Sequence, residues 1–393
     1  MKTDVLIIGA GAAGLFCAIE AGKRGRRVLV IDHAKRIAEK IRISGGGRCN
    51  FTNIHCSPAS FISKNPQFCR PALKRFTQKD FIRMVEAYGI GYHEKTLGQL
   101  FCDHSANDII DMLKTECIKH DAEIRNPVTC ESIEKTNAGF KVATTLGVIE
   151  ATSLVVATGG PSIPKMGSSS FGYEIANQFG INVIPPRAGL VPLVFDPAVL
   201  AYTKELSGIA IDPVEVRSQS GKVFREAMLF THRGISGPAI LQISSYWSPG
   251  EEITINMAPD LDVFSYLKDC RKKQPRSQAH TLLGEFLPKR LTQKIIEDTG
   301  FKGNIADLSD KKLQDLANRI QNWKVKPSGS EGYRTAEVAL GGIDTEEISS
   351  RSFEANRVKG LFFIGEVLDV TGHLGGFNFQ WAWSSGWCAG QEV

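Results

Sequence analysis

Gly9, Gly11 and Gly14 sit between an apolar run, Val5 to Ile8, and a stretch of helical composition. A second apolar run, Val28 to Ile31, ends in Asp32, eighteen residues after Gly14. Together these residues read as strand, glycine turn, helix, strand, acid. Gly9 permits a tight turn, Gly11 lets a pyrophosphate approach the backbone, and Gly14 lets the helix pack close to the strand. Ala12 and Ala13 begin that helix, whose free N–H groups and positive dipole end attract phosphates. Asp32 is placed to accept hydrogen bonds from ribose hydroxyls. The chemistry predicted is dinucleotide binding at the carboxyl end of a parallel sheet.

Two further segments offer backbone to a ligand. Residues 40–53 read Lys40-Ile-Arg-Ile-Ser44-Gly45-Gly46-Gly47-Arg48-Cys49-Asn50-Phe-Thr-Asn. Three successive glycines suit neither a helix interior nor a strand. Apolar Ile41, Ile43 and Phe51 anchor both ends, as a ligand-wrapping loop requires and a free linker does not. Leu154-Val-Val-Ala-Thr158-Gly159-Gly160 is a buried strand ending in a second glycine turn.

The elements that must position these loops follow from periodicity. Residues 76–91 and 105–120 carry apolar side chains at helical spacing, and 122–150 alternate as a β meander. After Pro185-Pro186 come short strands with turns to about 260, then charged helical sequence to about 323. The α/β character returns at Gly360-Leu-Phe-Phe-Ile-Gly365-Glu366. The expected fold is therefore α/β. A Rossmann-type dinucleotide-binding domain, residues 1–187 and 330–393, is interrupted by an inserted domain, 188–329. The insert is expected to be mostly β over 188–260 and mostly helical over 261–329.

Composition narrows the class. The chain has 393 residues, 42% hydrophobic and 23% charged, as soluble globular proteins do. No apolar run is long enough to span a bilayer, and the first apolar stretch is a strand rather than a signal peptide. Nine cysteines without a C-x-x-C pair argue against a disulfide framework, a zinc site and disulfide-reductase chemistry. They fit reduced thiols in a cytoplasmic protein, and no metal is expected.

The three glycine-terminated strands, the Gly-Gly-Gly-Arg loop and the Gly365-Glu-Val-Leu-Asp369 segment resemble flavoproteins of glutathione-reductase type. More narrowly, the chain resembles the YhiN (BaiN-like) family of FAD-dependent oxidoreductases. The matching motifs are Ser44–Asn50, Leu97-Gly-Gln-Leu-Phe-Cys102, Ala157–Gly160, Thr231-His-Arg-Gly-Ile-Ser-Gly-Pro238, Gly332-Tyr-Arg-Thr-Ala-Glu-Val338 with Gly341-Gly342, and Gly375-Gly-Phe-Asn-Phe-Gln380. They run from end to end of the chain. Asp32 stands where many relatives have Glu, and it still serves as an acceptor.

The resemblance implies non-covalent FAD. Gly9, Gly11 and Gly14 would hold its pyrophosphate and Asp32 its adenosine ribose. Lys40, Ser44, Gly45, Gly46, Gly47, Arg48, Cys49 and Asn50 would lie along the ribityl chain and ring. Thr158, Gly159, Gly365 and Glu366 would line the ribitol and phosphates. Gly376, Phe377, Asn378, Phe379 and Gln380 would present a helix N-terminus to the anionic edge of reduced flavin. Only one dinucleotide fingerprint exists, so NAD(P)H is expected to bind transiently as the electron donor.

Reduction of an activated C=C bond also needs a proton. Cys49, His232 and His373 are the leading candidates, with Cys102 and Tyr333 behind them. Trp381, Trp383 and Trp387 read as core. Between Phe264 and Lys294 the insert carries eight Lys or Arg against Asp269 and Glu285, a net +6. Arg271, Lys272, Lys273, Arg276, Lys289 and Arg290 are the candidate RNA contacts in this block. By resemblance, one branch of the family reduces uridine to dihydrouridine in large-subunit ribosomal RNA, and another reduces steroid-like enones. The first is expected here. A small-molecule ene reductase and a flavin-bearing RNA-binding protein remain the alternatives.

Overall fold

Val5, Leu6 and Ile7 are fully buried in the first strand, Lys2–Ile8, because it lies inside a parallel sheet that is covered on both faces. The computed structural model describes Met1–Val393, and its residues form two units: Met1–Arg187 with Glu337–Val393, and Ala188–Ala336.

In the first unit the strand Lys2–Ile8 pairs in parallel with Val28–Ile31 on one side and Gly147–Val156 on the other. Ala122–Arg125 extends the sheet beyond Val28–Ile31, and Leu361–Phe363 beyond Gly147–Val156, also in parallel. Register aligns Ile8 with Ile31 and with Val156, and Val156 with Phe363. Four chain segments therefore leave the sheet at one edge: the glycine turn, Asp32, Ala157–Gly160 and Ile364–Glu366.

The strand Gly147–Val156 changes partner along its length. Its first half pairs antiparallel with Gly139–Thr144, from Gly147↔Thr144 to Ala151↔Phe140. That half alternates between exposed and buried side chains, whereas Ser153 to Val156 are all buried. A half-exposed antiparallel ribbon and a parallel strand covered on both faces require those two patterns.

The first helix, Ala12–Lys23, packs against the C-terminal helix, Phe377–Gly390, across small residues. A Cβ on Gly386 would lie 2.6 Å from the Ala13 carbonyl oxygen, and one on Gly390 would lie 2.5 Å from Glu20 Cβ. Trp381 and Trp383 are buried, as read from the sequence. Their indole N–H groups donate to the carbonyls of Gly365 at 3.0 Å and Phe51 at 2.8 Å. The C-terminal helix is thereby fastened to two of the candidate cofactor loops.

The second unit is an antiparallel sheet with helices. Its strand order is Trp323–Val325, Ile253–Asn256, Ala210–Ser218, Val223–Phe230, Gly234–Ser236, Leu193–Val194 and Gly329–Ser330. Helices Val263–Lys273, Ala279–Leu283, Lys289–Thr299 and Asp310–Gln321 supply the other side of a separate core that includes Val216, Ile255, Leu267 and Leu283. The second boundary falls at 336/337 rather than near 330. Gly329 and Ser330 pair with Val194 and Leu193, and the Glu331 N–H donates to the Pro192 carbonyl, so residues 330–336 belong with the insert. No helix in the structure is long and apolar enough to cross a membrane.

Candidate functional site

The glycine turn is shaped by two contacts and one gap. Gly9 has φ +111°, and a Cβ there would lie 2.4 Å from the Ala157 carbonyl oxygen. A Cβ on Gly14 would lie 1.9 Å from the Gly9 carbonyl oxygen. Both positions need glycine for the protein's own packing. Gly11 does not: its backbone is extended, with φ −87°, and a Cβ there would meet nothing within 4 Å. The open space lies at the N-terminus of a twelve-residue helix, whose first N–H groups have no partner within the helix. Such a gap at a helix N-terminus could hold a phosphate group.

Asp32 is held facing this turn. Its Oδ2 accepts the Ala10 N–H at 2.7 Å and its Oδ1 the Ala34 N–H at 2.8 Å. Each carboxylate oxygen keeps a further lone pair for a ribose hydroxyl. The Ala38 N–H donates to the Ala10 carbonyl, which brings the next short helix, Glu39–Ile43, to the same edge.

Lys40 on that helix reaches across the edge. Its Nζ donates to Glu366 Oε2 and to Ser162 Oγ, both at 2.7 Å. Ser162 Oγ also bonds Glu366 Oε1 at 3.1 Å and the Glu337 carbonyl at 3.2 Å. The Ala339 N–H completes the cluster on Glu366 Oε1 at 3.1 Å. Gly365, at φ +74°, brings Glu366 close to the first helix: a Cβ there would lie 2.9 Å from Ala13 Cβ. Gly159, at φ +71°, turns the chain beside the same carboxylate, and Thr158 packs against Gly172.

The loop Ser44–Gly47 has left-handed backbone at Gly45, Gly46 and Gly47, with φ +59°, +67° and +88°. Ser44 Oγ closes it by donating to the Ile41 carbonyl at 2.8 Å. Gly46 and Arg48 are exposed, and a Cβ on Gly46 would meet open space. The loop ends in a strand, Asn50–Asn53, paired with Gln99–Cys102. With its amide oriented to satisfy both ends, Asn50 accepts the Gly376 N–H at 3.1 Å and donates to the Thr52 and Leu100 carbonyls. Gly376, at φ +94°, could not carry a Cβ, which would lie 2.4 Å from the Thr52 carbonyl oxygen.

These contacts revise several residue assignments. Gln380 is fully buried, accepts Thr52 Oγ1 at 2.7 Å, and donates to the Phe76 carbonyl and Ser384 Oγ. All its polar capacity serves the fold, so it is not a cofactor ligand. The Asn378 side chain bonds the Gly372 N–H and carbonyl and the His373 carbonyl, and Asn50 braces the turn before the last helix. What Phe377, Asn378 and Phe379 offer a flavin is the N–H groups of the first helical turn. Phe377 is buried against Phe61, and Phe379 stacks on Trp383 at 5.8 Å.

The proton-donor candidates differ. Cys49 is fully buried, and burial pushes its thiol well above the usual range, which makes it a weak acid. Cys102, its neighbour across the strand pair, is likewise raised, to about 12, chiefly by burial. His373 donates its N–H to the Ser60 carbonyl, and its ring lies edge-on to Phe377 at 6.2 Å. His232 is exposed on the turn between strands Val223–Phe230 and Gly234–Ser236 of the insert. Sequence reasoning missed Ser162, which joins Lys40, Glu366 and the Glu337 carbonyl. Its position, two residues past a glycine-ended strand, was the available signal.

The basic block of the insert is partly neutralised. Arg271 and Lys268 both pair with Asp310, at 2.5 Å and 3.2 Å, and Arg271 also donates to the Leu308 carbonyl. Lys294 pairs with Glu205 at 3.0 Å, and Arg290 donates to the Glu205 carbonyl. Arg271 and Arg290 thus already have partners within the insert, so less of their charge is free than the sequence suggested. Lys272, Lys273, Arg276 and Lys289 are exposed and make no ion pair.

The residues present fit FAD. The gap over Gly11, the free helix N-terminus, the two-oxygen acceptor at Asp32 and the left-handed glycine loop lie in one unit. They supply what a pyrophosphate, a ribose and a ring system need. Comparisons with known proteins agree. The model of the HI0933-like protein Rossmann domain family matches residues 3–392. A ribosomal RNA dihydrouridine synthase of Escherichia coli is 51% identical over 100% of this chain and 98% of its own. A 3-dehydro-bile acid delta(4,6)-reductase of Clostridium scindens is 26% identical over 98% of each chain. Among solved structures, a 3-ketosteroid-delta4-(5alpha)-dehydrogenase of Rhodococcus jostii matches with a TM-score of 0.54 at 13% identity. That match covers 100% of this chain and 97% of the other, a likeness of fold.

Proposed function

The chain belongs to the HI0933-like Rossmann-domain family, and from that premise we propose that it reduces uridine to dihydrouridine in large-subunit ribosomal RNA. The cofactor these residues would hold is non-covalent FAD, and the proposed electron donor is NAD(P)H. The observation that carries this reading is the 51% identity, end to end, with a protein named for that reaction. As a family of flavoprotein oxidoreductases, its members share the chemistry of the flavin, which accepts hydride from a nicotinamide and passes it to an acceptor when bound.

The protein's own residues bind and orient. Gly9, Gly11 and Gly14, with the N–H groups of Ala12 and Ala13, receive the pyrophosphate. Asp32 receives the ribose. Lys40 and Glu366 hold each other at the strand ends, so both are fixed in place before the cofactor arrives. The first turn of the C-terminal helix would favour negative charge on a reduced flavin through its dipole.

Lys272, Lys273, Arg276 and Lys289 are free to neutralise RNA phosphates. A base stacked in folded RNA must be extruded before a flavin reaches it, at a cost of a few kcal/mol. The proposed substrate is therefore unassembled or partly folded ribosomal RNA, and the proposed location is the cytoplasm. A second reading, reduction of a small enone, is favoured by the 26% identical bile acid reductase. Mixing the purified holoprotein with NAD(P)H and either unmodified ribosomal RNA or a conjugated enone decides between them. RNA-dependent oxidation of NAD(P)H that weakens with salt supports the first reading, and oxidation with the enone alone supports the second.

A further inference from the structure

Side chains alternate along the strand Gln99–Cys102, so Gln99 and Phe101 share one face and Leu100 and Cys102 the other. Gln99 and Phe101 touch two different glycine loops. A Cβ on Gly45 would lie 2.7 Å from Phe101 Cε1. A Cβ on Gly375 would lie 2.9 Å from Gln99 Cγ and 3.0 Å from its Nε2. The first loop is Ser44–Gly47, and the second is the turn before the helix Phe377–Gly390. One strand face therefore spans the two loops that the FAD reading puts along the flavin ring.

Gln99 is also firmly set. Leu97 and Gly98 before it have left-handed backbone, at φ +50° and +78°. Buried Asn53 donates to the Leu97 carbonyl at 3.1 Å and to the Gly375 carbonyl at 2.9 Å. Glu94 Oε1 accepts the Gly98 N–H at 2.9 Å, and the Gln99 N–H donates to the Thr96 carbonyl at 2.9 Å. The turn that carries Gln99 and the turn that it touches are thus clamped by one side chain. The other amides around these loops are spent on the protein: Asn50, Asn53, Asn378 and Gln380 all hold neighbouring groups. The Gln99 carboxamide is half-buried and makes no hydrogen bond. It keeps a donor and an acceptor, side by side, for a ligand.

We infer that Gln99 is a binding residue for an imide edge, an N–H flanked by two carbonyls. Its Nε2–H would donate to one carbonyl while its Oε1 accepts from the N–H. The flavin ring carries that edge on its pyrimidine side, and uracil carries the same edge. A simple enone has the carbonyl but not the N–H, so a paired carboxamide favours an imide ring over an ordinary conjugated ketone. The inference deepens the proposed function and rests on its premise that FAD and uridine meet in this protein.

The test uses two variants. Gln99→Met keeps an unbranched side chain against Gly375 and loses both bonds. Gln99→Glu keeps the shape but, as a carboxylate, cannot donate, so it reads the hydrogen bond rather than the packing. In one arm, the flavin-free proteins are titrated with FAD and with FAD methylated at N3 of its ring. In the other, FAD-saturated proteins reduce unmodified ribosomal RNA or a conjugated enone with NAD(P)H. If the flavin is the ligand, both variants should bind FAD about 10- to 100-fold more weakly. Methylation at N3 should then weaken wild type by a similar factor and the variants much less. If uracil is the ligand, FAD affinity should stay at the wild-type value. The variants' kcat/KM should then fall about 10- to 100-fold on RNA and clearly less on the enone. Either pattern supports the inference. Variants within a few-fold of wild type in both arms overturn it. If wild type binds FAD but does not reduce RNA, the RNA reading fails, and the FAD affinities alone decide the role of Gln99. A wild-type protein that binds no FAD overturns both.

Discussion

Replacing Gly11 with valine puts a side chain into space that the protein itself leaves empty. The backbone there is extended, at φ −87°, so a branched residue meets no conformational strain, and its Cβ meets nothing within 4 Å. The remaining penalty is a poorer helix N-cap, about 1 kcal/mol. Pyrophosphate binding should suffer far more. Two charge-assisted N–H bonds at roughly 1.5–3 kcal/mol each would be lost. That amounts to about 3–6 kcal/mol, or roughly 10²- to 10⁴-fold in FAD affinity. Gly14→Ala should do the reverse. Its Cβ would sit 1.9 Å from the Gly9 carbonyl oxygen, so the helix must move away from the strand, a strain of about 1–3 kcal/mol or more on the flavin-free fold. FAD titration of the flavin-free proteins, with thermal unfolding of the same samples, separates the two effects. A Gly11→Val protein that binds FAD as wild type does, or that unfolds as early as Gly14→Ala, would refute the reasoning.

Lys40→Met removes the cation that bonds Glu366 and Ser162, and should lower flavin-free stability by about 2 kcal/mol and reduce FAD content, read by urea unfolding and flavin absorbance. Reversing Lys272, Lys273 and Arg276 to Glu should weaken RNA binding and lower the slope of log affinity against log salt, by about 0.7–0.9 for each phosphate that is no longer neutralised. Arg271→Glu should instead lower stability, because it breaks the pair with Asp310. Glu337→Gln should gain stability relative to wild type as pH rises. The folded carboxyl titrates at about 7 and the unfolded one near 4.5, so wild type loses stability across that window and the difference levels off above it. Unfolding midpoints of the flavin-free proteins at pH 5 and pH 8 check the sign.

The glycine turn was legible because its chemistry is local: strand, turn, helix and acid all lie within one short segment. The strand Gly147–Val156 was legible for a similar reason, since alternating and continuous apolar patterns report one or two covered faces. Polar residues beside glycines were harder. Asn50, Asn378 and Gln380 read as ligand contacts, yet each side chain braces the protein itself: Asn50 holds Gly376, and Gln380 holds Thr52 and Phe76, far away in sequence, while Asn378 closes the turn at Gly372 and His373 just before its own helix. The basic block was overcounted because Asp310 and Glu205 lie outside the window in which the charge was summed. Glu337 lay inside the Gly332–Val338 motif, but nothing in that motif set it apart, because its raised carboxyl comes from folded surroundings and not from its neighbours in sequence. The insert boundary moved because a two-residue strand, Gly329–Ser330, is too short for any periodicity to mark.

Dihydrouridine mapping in the large-subunit ribosomal RNA of the host, with and without the gene for this protein, tests the central claim most directly. The account predicts that one or more dihydrouridines vanish in the deletion strain. They should return with the wild-type gene and fail to return with Gly11→Val. A deletion strain that keeps every dihydrouridine in its ribosomal RNA would contradict the account.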